Sequence, residues 1–140
     1  MSETFDPTRT AVFGTETDTS SEAVAIPLSK GDTEAVAALP PGSALLIVQR
    51  GPNTGARFLL DREVTNAGRS ASSDIFLDDV TVSRKHCQFI RKNGKHLIRD
   101  SGALNGTYVN RERVDQVILN PGDEVQIGKY RMTYHPSPRQ

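Results

Sequence analysis

The chain has 140 residues, 17 Lys and Arg against 17 Asp and Glu, and 36% hydrophobic side chains, which allows one domain with a modest core plus a tail. No apolar run approaches the ~20 residues of a membrane span, and no basic start followed by an apolar stretch marks a secretory signal, so a cytoplasmic monomer without a membrane partner is expected. Cys87 is the only cysteine, which excludes an intrachain disulfide, and with three scattered histidines it supplies too few ligands for a metal.

The even charge balance hides an asymmetry. Residues 1–40 carry seven acidic side chains (Glu3, Asp6, Glu16, Asp18, Glu22, Asp32, Glu34) against Arg9 and Lys30, whereas the other hundred carry fifteen basic against ten acidic. An acidic tail can fold back on a basic domain, and phosphorylation deepens the attraction. Rich in Thr, Ser, Glu and Ala, and without a sustained period of 2 or 3.6, residues 1–40 read as disordered. Asp32 to Leu39 has room for a turn or two of helix, marginal on its own. One apolar knot, Thr10-Ala11-Val12-Phe13, reads as a short linear motif with Thr10 as the phosphoacceptor. Leu39-Pro40-Pro41-Gly42 closes the tail, so residues 41–140 are the domain and folding starts at Ser43.

Ala44 to Val48 is a continuous apolar run of strand length. Gly51, Pro52, Asn53 and Gly55 mark a turn before a second strand at Arg57 to Leu60. Further strands are predicted at Val64 to Ala67, Ile75 to Leu77, Cys87 to Lys92, Lys95 to Arg99, Thr107 to Asn110, Glu124 to Ile127 and Tyr130 to His135. In the last, Tyr130, Met132 and Tyr134 share one face and Arg131, Thr133 and His135 the other. Asn93-Gly94 is a strong hairpin signal and Gly128-Lys129 suits a second tight turn. Short strands at regular spacing without a long helix predict an all-β fold, an antiparallel β-sandwich with its loops clustered at one end. Cys87 falls on a strand as a small core residue.

Two loop segments carry the chemistry. Asn66 to Gln88 offers Arg69 directly after Gly68, then Ser83, Arg84 and Lys85; Gly102 to Thr107 sets Asn105 opposite them. A guanidinium fork, a hydroxyl and a side-chain amide on one point are what a phosphate monoester needs, with its charge of about −1.5 to −2 and three acceptor oxygens. That pattern predicts a phosphopeptide-binding module. His86 reads as a buried, hydrogen-bonded histidine.

Other function classes fit less well. Ser83 and His86 lack the Gly-x-Ser-x-Gly elbow and the separate orienting acid of a hydrolase. Gly122 to Tyr130 has five residues between its glycines and Tyr where a phosphate-binding loop has Ser or Thr. The basic residues are interspersed with acids and aromatics are few, which argues against nucleic acid. No enzyme activity and no cofactor are expected.

Gly68-Arg69, then Ser83 and His86 as Ser-x-x-His, then Asn105-Gly106-Thr107, in that order over residues 43 to 135, resemble the signature of forkhead-associated (FHA) domains. The resemblance implies a β-sandwich that binds phosphothreonine peptides without catalysis. It further implies that Arg69, Ser83 and Arg84 contact the phosphate and that Asn105 holds the peptide backbone. Gly68, His86, Gly106 and Thr107 would brace the loops. Ala103 and Leu104 stand where many FHA domains have Ser and Thr, which leaves Asn105 more to the backbone than to the phosphate.

The tail and the stretches Gly-Pro-Asn-x-Gly, Phe-Leu-Leu-Asp and Asp-Ile-Phe-Leu-Asp-Asp-Val-Thr-Val-Ser-Arg are similar to small actinobacterial FHA regulators of the GarA and OdhI type. That likeness implies inhibition of 2-oxoglutarate dehydrogenase, or action on glutamate-metabolising enzymes, by the unphosphorylated form. A Ser/Thr protein kinase would phosphorylate Thr10, and the tail would then occupy its own FHA domain. Two adjacent threonines precede the apolar knot in that family; here Arg9 takes the first position, leaving Thr8 as the displaced alternative. An FHA adaptor recruiting phosphorylated partners in another pathway is the alternative reading.

Overall fold

The computed structural model describes residues 28–139. Among them, a helix α1 (Lys30–Ala37) precedes eleven strands: β1 (Ala44–Arg50), β2 (Arg57–Leu60), β3 (Val64–Gly68), β4 (Ile75–Phe76), β5 (Cys87–Lys92), β6 (Lys95–Asp100), β7 (Thr107–Val109), β8 (Glu112–Arg113), β9 (Gln116–Ile118), β10 (Glu124–Ile127) and β11 (Tyr130–Pro136). They form a five-stranded sheet, β9-β6-β5-β3-β4, and a six-stranded sheet, β2-β1-β11-β10-β7-β8. Between the sheets lie Leu46 and Val48 of β1, Tyr130, Met132 and Tyr134 of β11, Phe89 and Cys87 of β5, and Ile98 of β6. The alternation along β11 therefore reports the core face as expected. Burial in apolar surroundings pushes the Cys87 thiol up from its ordinary value, which suits a packing residue.

The continuous burial of Ala44 to Val48 has a different cause from alternation. While Leu46 and Val48 face the core, Leu45 and Ile47 face outward and are covered by Leu28, Ala35, Val36 and Leu39. A strand covered on both faces loses its polar positions. The helix that provides this cover is capped by the Ser29 hydroxyl, which accepts from the Asp32 N–H, and is clipped to β2 by the 2.7 Å Asp32–Arg57 ion pair. Ordered structure thus begins ahead of Ser43: tertiary contact rescues a helix that composition alone leaves marginal.

The Asn93-Gly94 turn adopts positive φ at both residues, 53° and 76°, the geometry whose twist matches a two-residue hairpin. The sandwich departs from a purely antiparallel plan at one place. Strands β3 and β4 run parallel through Ala67–Ile75 and Gly68–Phe76. Strand β4 is only two residues long, so the six-residue loop between it and β3 turns the chain back without a helical crossover. Strands β8 and β9, two and three residues long, escaped prediction because so short a run carries no readable period.

Candidate functional site

Three loops meet at one end of the sandwich: residues 69–74 after β3, 77–86 before β5, and 101–106 between β6 and β7. The first two cross in direct backbone contact. A Cβ on Gly68 would lie 2.1 Å from the Arg84 carbonyl oxygen, so only glycine allows the crossing. The Arg69 N–H then donates to the Ser83 carbonyl at 2.9 Å and the Ser70 N–H to the Arg84 carbonyl at 3.2 Å. From there the exposed Arg69 side chain turns across the second loop, its Nε–H donating to the Val82 carbonyl at 3.0 Å. One edge of the guanidinium is thereby fixed while its terminal N–H groups keep their donor capacity.

Ser83 is held from two sides. Its N–H donates to His86 Nδ1 at 3.1 Å, and its Oγ accepts the Leu104 N–H at 3.0 Å. Because the oxygen is engaged as an acceptor, the hydroxyl proton remains for an incoming anion. His86 is fully buried, and since Nδ1 accepts, its proton sits on Nε2 and is donated to the Gly106 carbonyl at 2.9 Å. Burial pushes its pKa down, against the Gly106 contact and the Asp100 charge, which keeps the ring neutral in the role it plays.

The third loop is pinned by Asp100. One carboxylate oxygen accepts the Thr107 hydroxyl at 2.6 Å, the other the N–H groups of Gly102 and Ala103 at 2.9 and 3.3 Å. Asn105, exposed at the tip, donates from Nδ2 to the Thr81 carbonyl at 2.9 Å, so its amide oxygen stays available as an acceptor. Arg69 and Asn105 therefore grip successive carbonyls, Val82 and Thr81, just ahead of Ser83. The structure brings together the three residues that the sequence separates by 14 and 22 positions. Arg84 and Lys85 are exposed on the same loop. Gly68, His86, Gly106 and Thr107 lie beneath it, all buried. Thr8 and Thr10 fall outside the described residues.

Several neighbours went unnoticed in the sequence. Thr81 accepts the Lys129 N–H on its hydroxyl at 3.0 Å and contacts Asp79 through both its N–H and its hydroxyl. The Thr81 hydroxyl, then its N–H, holds the Asp79 carboxyl below the usual carboxylate range. The Arg113 guanidinium packs over Gly106, adding a cation beside Asn105. Asp79-x-Thr81 and Asp100-x-Gly102 are both Asx-turn spacings, a signal that was present in the sequence. Beside Asn105, a depression of about 390 Å³ is lined by Thr81, Tyr108, Gln126, Gly128 and Lys129.

Comparison with known proteins agrees with this geometry. The FHA domain pattern matches residues 65–128. The oxoglutarate dehydrogenase inhibitor of Corynebacterium diphtheriae is 59% identical over 100 residues, covering 71% of this chain and 70% of that protein. This chain belongs to the FHA domain family. The glycogen accumulation regulator GarA of Mycobacterium tuberculosis is 61% identical to this FHA protein over 105 residues, 75% of this chain; the chain spans only 65% of the length of that relative. Among solved structures, Mycobacterium tuberculosis EmbR in complex with a low-affinity phosphopeptide superposes with a TM-score of 0.63 at 30% identity, covering 70% of this chain and 25% of EmbR. No helix among the described residues of the FHA protein is long and apolar enough to cross a membrane.

Proposed function

We propose that this chain is a non-catalytic regulator that binds phosphothreonine peptides at the Arg69, Ser83 and Asn105 loops and is switched by a Ser/Thr kinase acting on Thr10. The observation that carries the proposal is the attachment of Arg69 and Asn105 to the adjacent carbonyls of Val82 and Thr81, directly ahead of Ser83, whose hydroxyl oxygen accepts the Leu104 N–H. In the bound state Arg69, Ser83 and Arg84 hold the phosphate, and the Asn105 amide oxygen accepts from the peptide backbone. By analogy with the relative that carries the name oxoglutarate dehydrogenase inhibitor, the unphosphorylated form acts on that dehydrogenase or on a related metabolic enzyme in the cytoplasm.

Reach and concentration both support self-docking. Leu28 packs against the sandwich, so about 18 residues separate Thr10 from the anchored chain. That length can span up to about 60 Å, several times the ~13 Å radius of gyration of a 100-residue domain. A short tether gives an effective concentration near the millimolar range, so a phosphopeptide of about micromolar affinity is held almost wholly in cis. Without the phosphate the charge-assisted bonds are lost and the tail releases the site.

The test is calorimetry of the unphosphorylated full chain with a peptide covering residues 5–15, with and without phosphate on Thr10. Binding only of the phosphorylated peptide is expected. Equal binding of both would refute the site, and dehydrogenase activity unaffected by a molar excess of unphosphorylated protein would refute the target alone.

A further inference from the structure

Beside the phosphate loops, residues 69–74 and the segment Lys85 to Gln88 enclose a second depression, of about 230 Å³. Asn66, Ser70, Ser72, Lys85, Gln88 and Ser101 line it with others, and no carboxylate is in the lining. Ser70 follows Arg69 and Lys85 stands two places after Ser83, so the rim lies one to two residue steps, about 4–7 Å, from the groups assigned to the phosphate. The lining has donors to spare. The Ser70 and Ser72 hydroxyls lie 2.9 Å apart and one donates to the other, which leaves one hydroxyl proton over. Asn66 accepts the Gln88 amide N–H on Oδ1 at 2.9 Å, a bond that does not use its own amide N–H groups. Lys85 is exposed and makes no ion pair among the described residues. Asp74, the acid that ends the first loop, is spent elsewhere: it accepts from the Arg62 guanidinium and from the Asn66 N–H, both at 2.9 Å.

We propose that this depression is a subsite for an anionic side chain, a carboxylate or a second phosphoryl group, carried two residues from the phosphothreonine. The inference rests on the phosphopeptide reading of the Arg69 and Ser83 loops and adds what the bound peptide carries besides its phosphate. In an extended peptide, side chains two residues apart share a face at a spacing of about 6.6 Å, which matches the distance to the rim. With the phosphate on Arg69 and Ser83, the neighbouring anion would meet the Lys85 ammonium and accept from the spare hydroxyl and amide donors. Those bonds are charge-assisted, an advantage that a neutral side chain of the same shape lacks. In the tail, Thr8 lies two residues before Thr10 and Val12 two after it. Thr8 then becomes more than a displaced acceptor: a phosphate there would fill the subsite while the phosphate on Thr10 occupies the first.

The test is calorimetry of the unphosphorylated full chain with 5–15 peptides phosphorylated on Thr10 and carrying Thr8→Glu, Thr8→Gln or a second phosphate on Thr8, with Val12→Glu and Val12→Gln as a matching pair. The Thr8→Glu peptide should bind about three- to tenfold more tightly than Thr8→Gln, and the doubly phosphorylated peptide more tightly still. Lys85→Gln, at an exposed position, should abolish the difference whatever its overall affinity, whereas Lys129→Gln, which removes a charge from the depression beside Asn105, should preserve it. A gain confined to the second phosphate assigns the subsite to phosphoryl groups, and a gain from glutamate admits carboxylates. A gain from Val12→Glu instead, equally lost in Lys85→Gln, supports the subsite with the peptide running the other way. Equal affinities throughout, a difference that survives Lys85→Gln, or one lost as fully in Lys129→Gln would overturn the subsite. Tight binding of the singly phosphorylated peptide would then leave the phosphopeptide site standing, and its failure to bind would remove both.

Discussion

Replacing Arg69 with alanine separates binding from folding more sharply than any other change in the site. The side chain is exposed and, among the described residues, makes one bond, from Nε to the Val82 carbonyl. Losing that bond should cost about 0.5–1.5 kcal/mol of stability. Against a phosphate, the guanidinium offers a two-pronged contact of charge-assisted bonds at about 1.5–3 kcal/mol each, or about 3–6 kcal/mol together. At about 1.4 kcal/mol per factor of ten, Arg69→Ala should weaken the phosphorylated 5–15 peptide by about 10²–10⁴. Arg69→Lys keeps the charge but cannot bond Val82 and offer a fork at once, so it should recover only part of the loss. Calorimetry gives the Kd and urea unfolding the stability. Affinity within threefold of the parent in a folded Arg69→Ala protein would refute the assignment, as would a loss of binding that merely tracks unfolding.

The supporting residues predict different outcomes. In Gly68→Ala the new methyl meets the Arg84 carbonyl carbon at 2.8 Å as well as its oxygen, both backbone atoms, so stability should fall by about 3 kcal/mol and peptide binding with it; an unchanged urea midpoint would contradict this. Thr107→Val removes the 2.6 Å bond to Asp100 in a fully buried setting and should cost about 1–3 kcal/mol while weakening the peptide less than tenfold. Burial lowers the pKa of His86, His96 and His135 in the folded protein, so their stabilisation is complete above the unfolded value of about 6.5 and is lost as pH falls below it, for His96 down through about 4. Urea midpoints should therefore drop from pH 7 to pH 5, and a rise would show the sign to be wrong.

The parts of the fold that read correctly from sequence were those with a local signature. Tyr130 to His135 alternates because one face meets the core, and Asn93-Gly94 declares its turn because only such residues accept two successive positive φ values at low cost. What failed to read was set by distant partners. Helix α1 exists because Leu45 and Ile47, on the far side of the Pro40-Pro41-Gly42 turn, need a cover. The parallel pairing of β3 with β4 and the crossing of Gly68 over Arg84 have no signature in any window of local sequence. In the site, Arg69, Ser83 and Asn105 were legible as phosphate chemistry. The carbonyls of Thr81 and Val82 that align Asn105 and Arg69 were not, because backbone acceptors carry no residue-type signal.

This division of labour bears on how the site can change. Asp100 and His86 brace the loops from below, spending their hydrogen-bonding capacity on Gly102, Ala103, Thr107, Ser83 and Gly106. Of the exposed groups, Arg69 and Asn105 each add one tie to that bracing, through the Val82 and Thr81 carbonyls. Because the loops are ordered before any ligand arrives, binding need not supply the ordering cost on the protein side, and most of that cost falls on the peptide. Substitutions among the exposed residues can therefore retune the preferred peptide at small expense in stability, whereas any change to Asp100 or His86 must alter both together. Lys85 and Leu104, whose exposed side chains border the site while only the Leu104 backbone N–H supports it, are then the positions at which this chain can differ in partner from an FHA protein with the same braced loops.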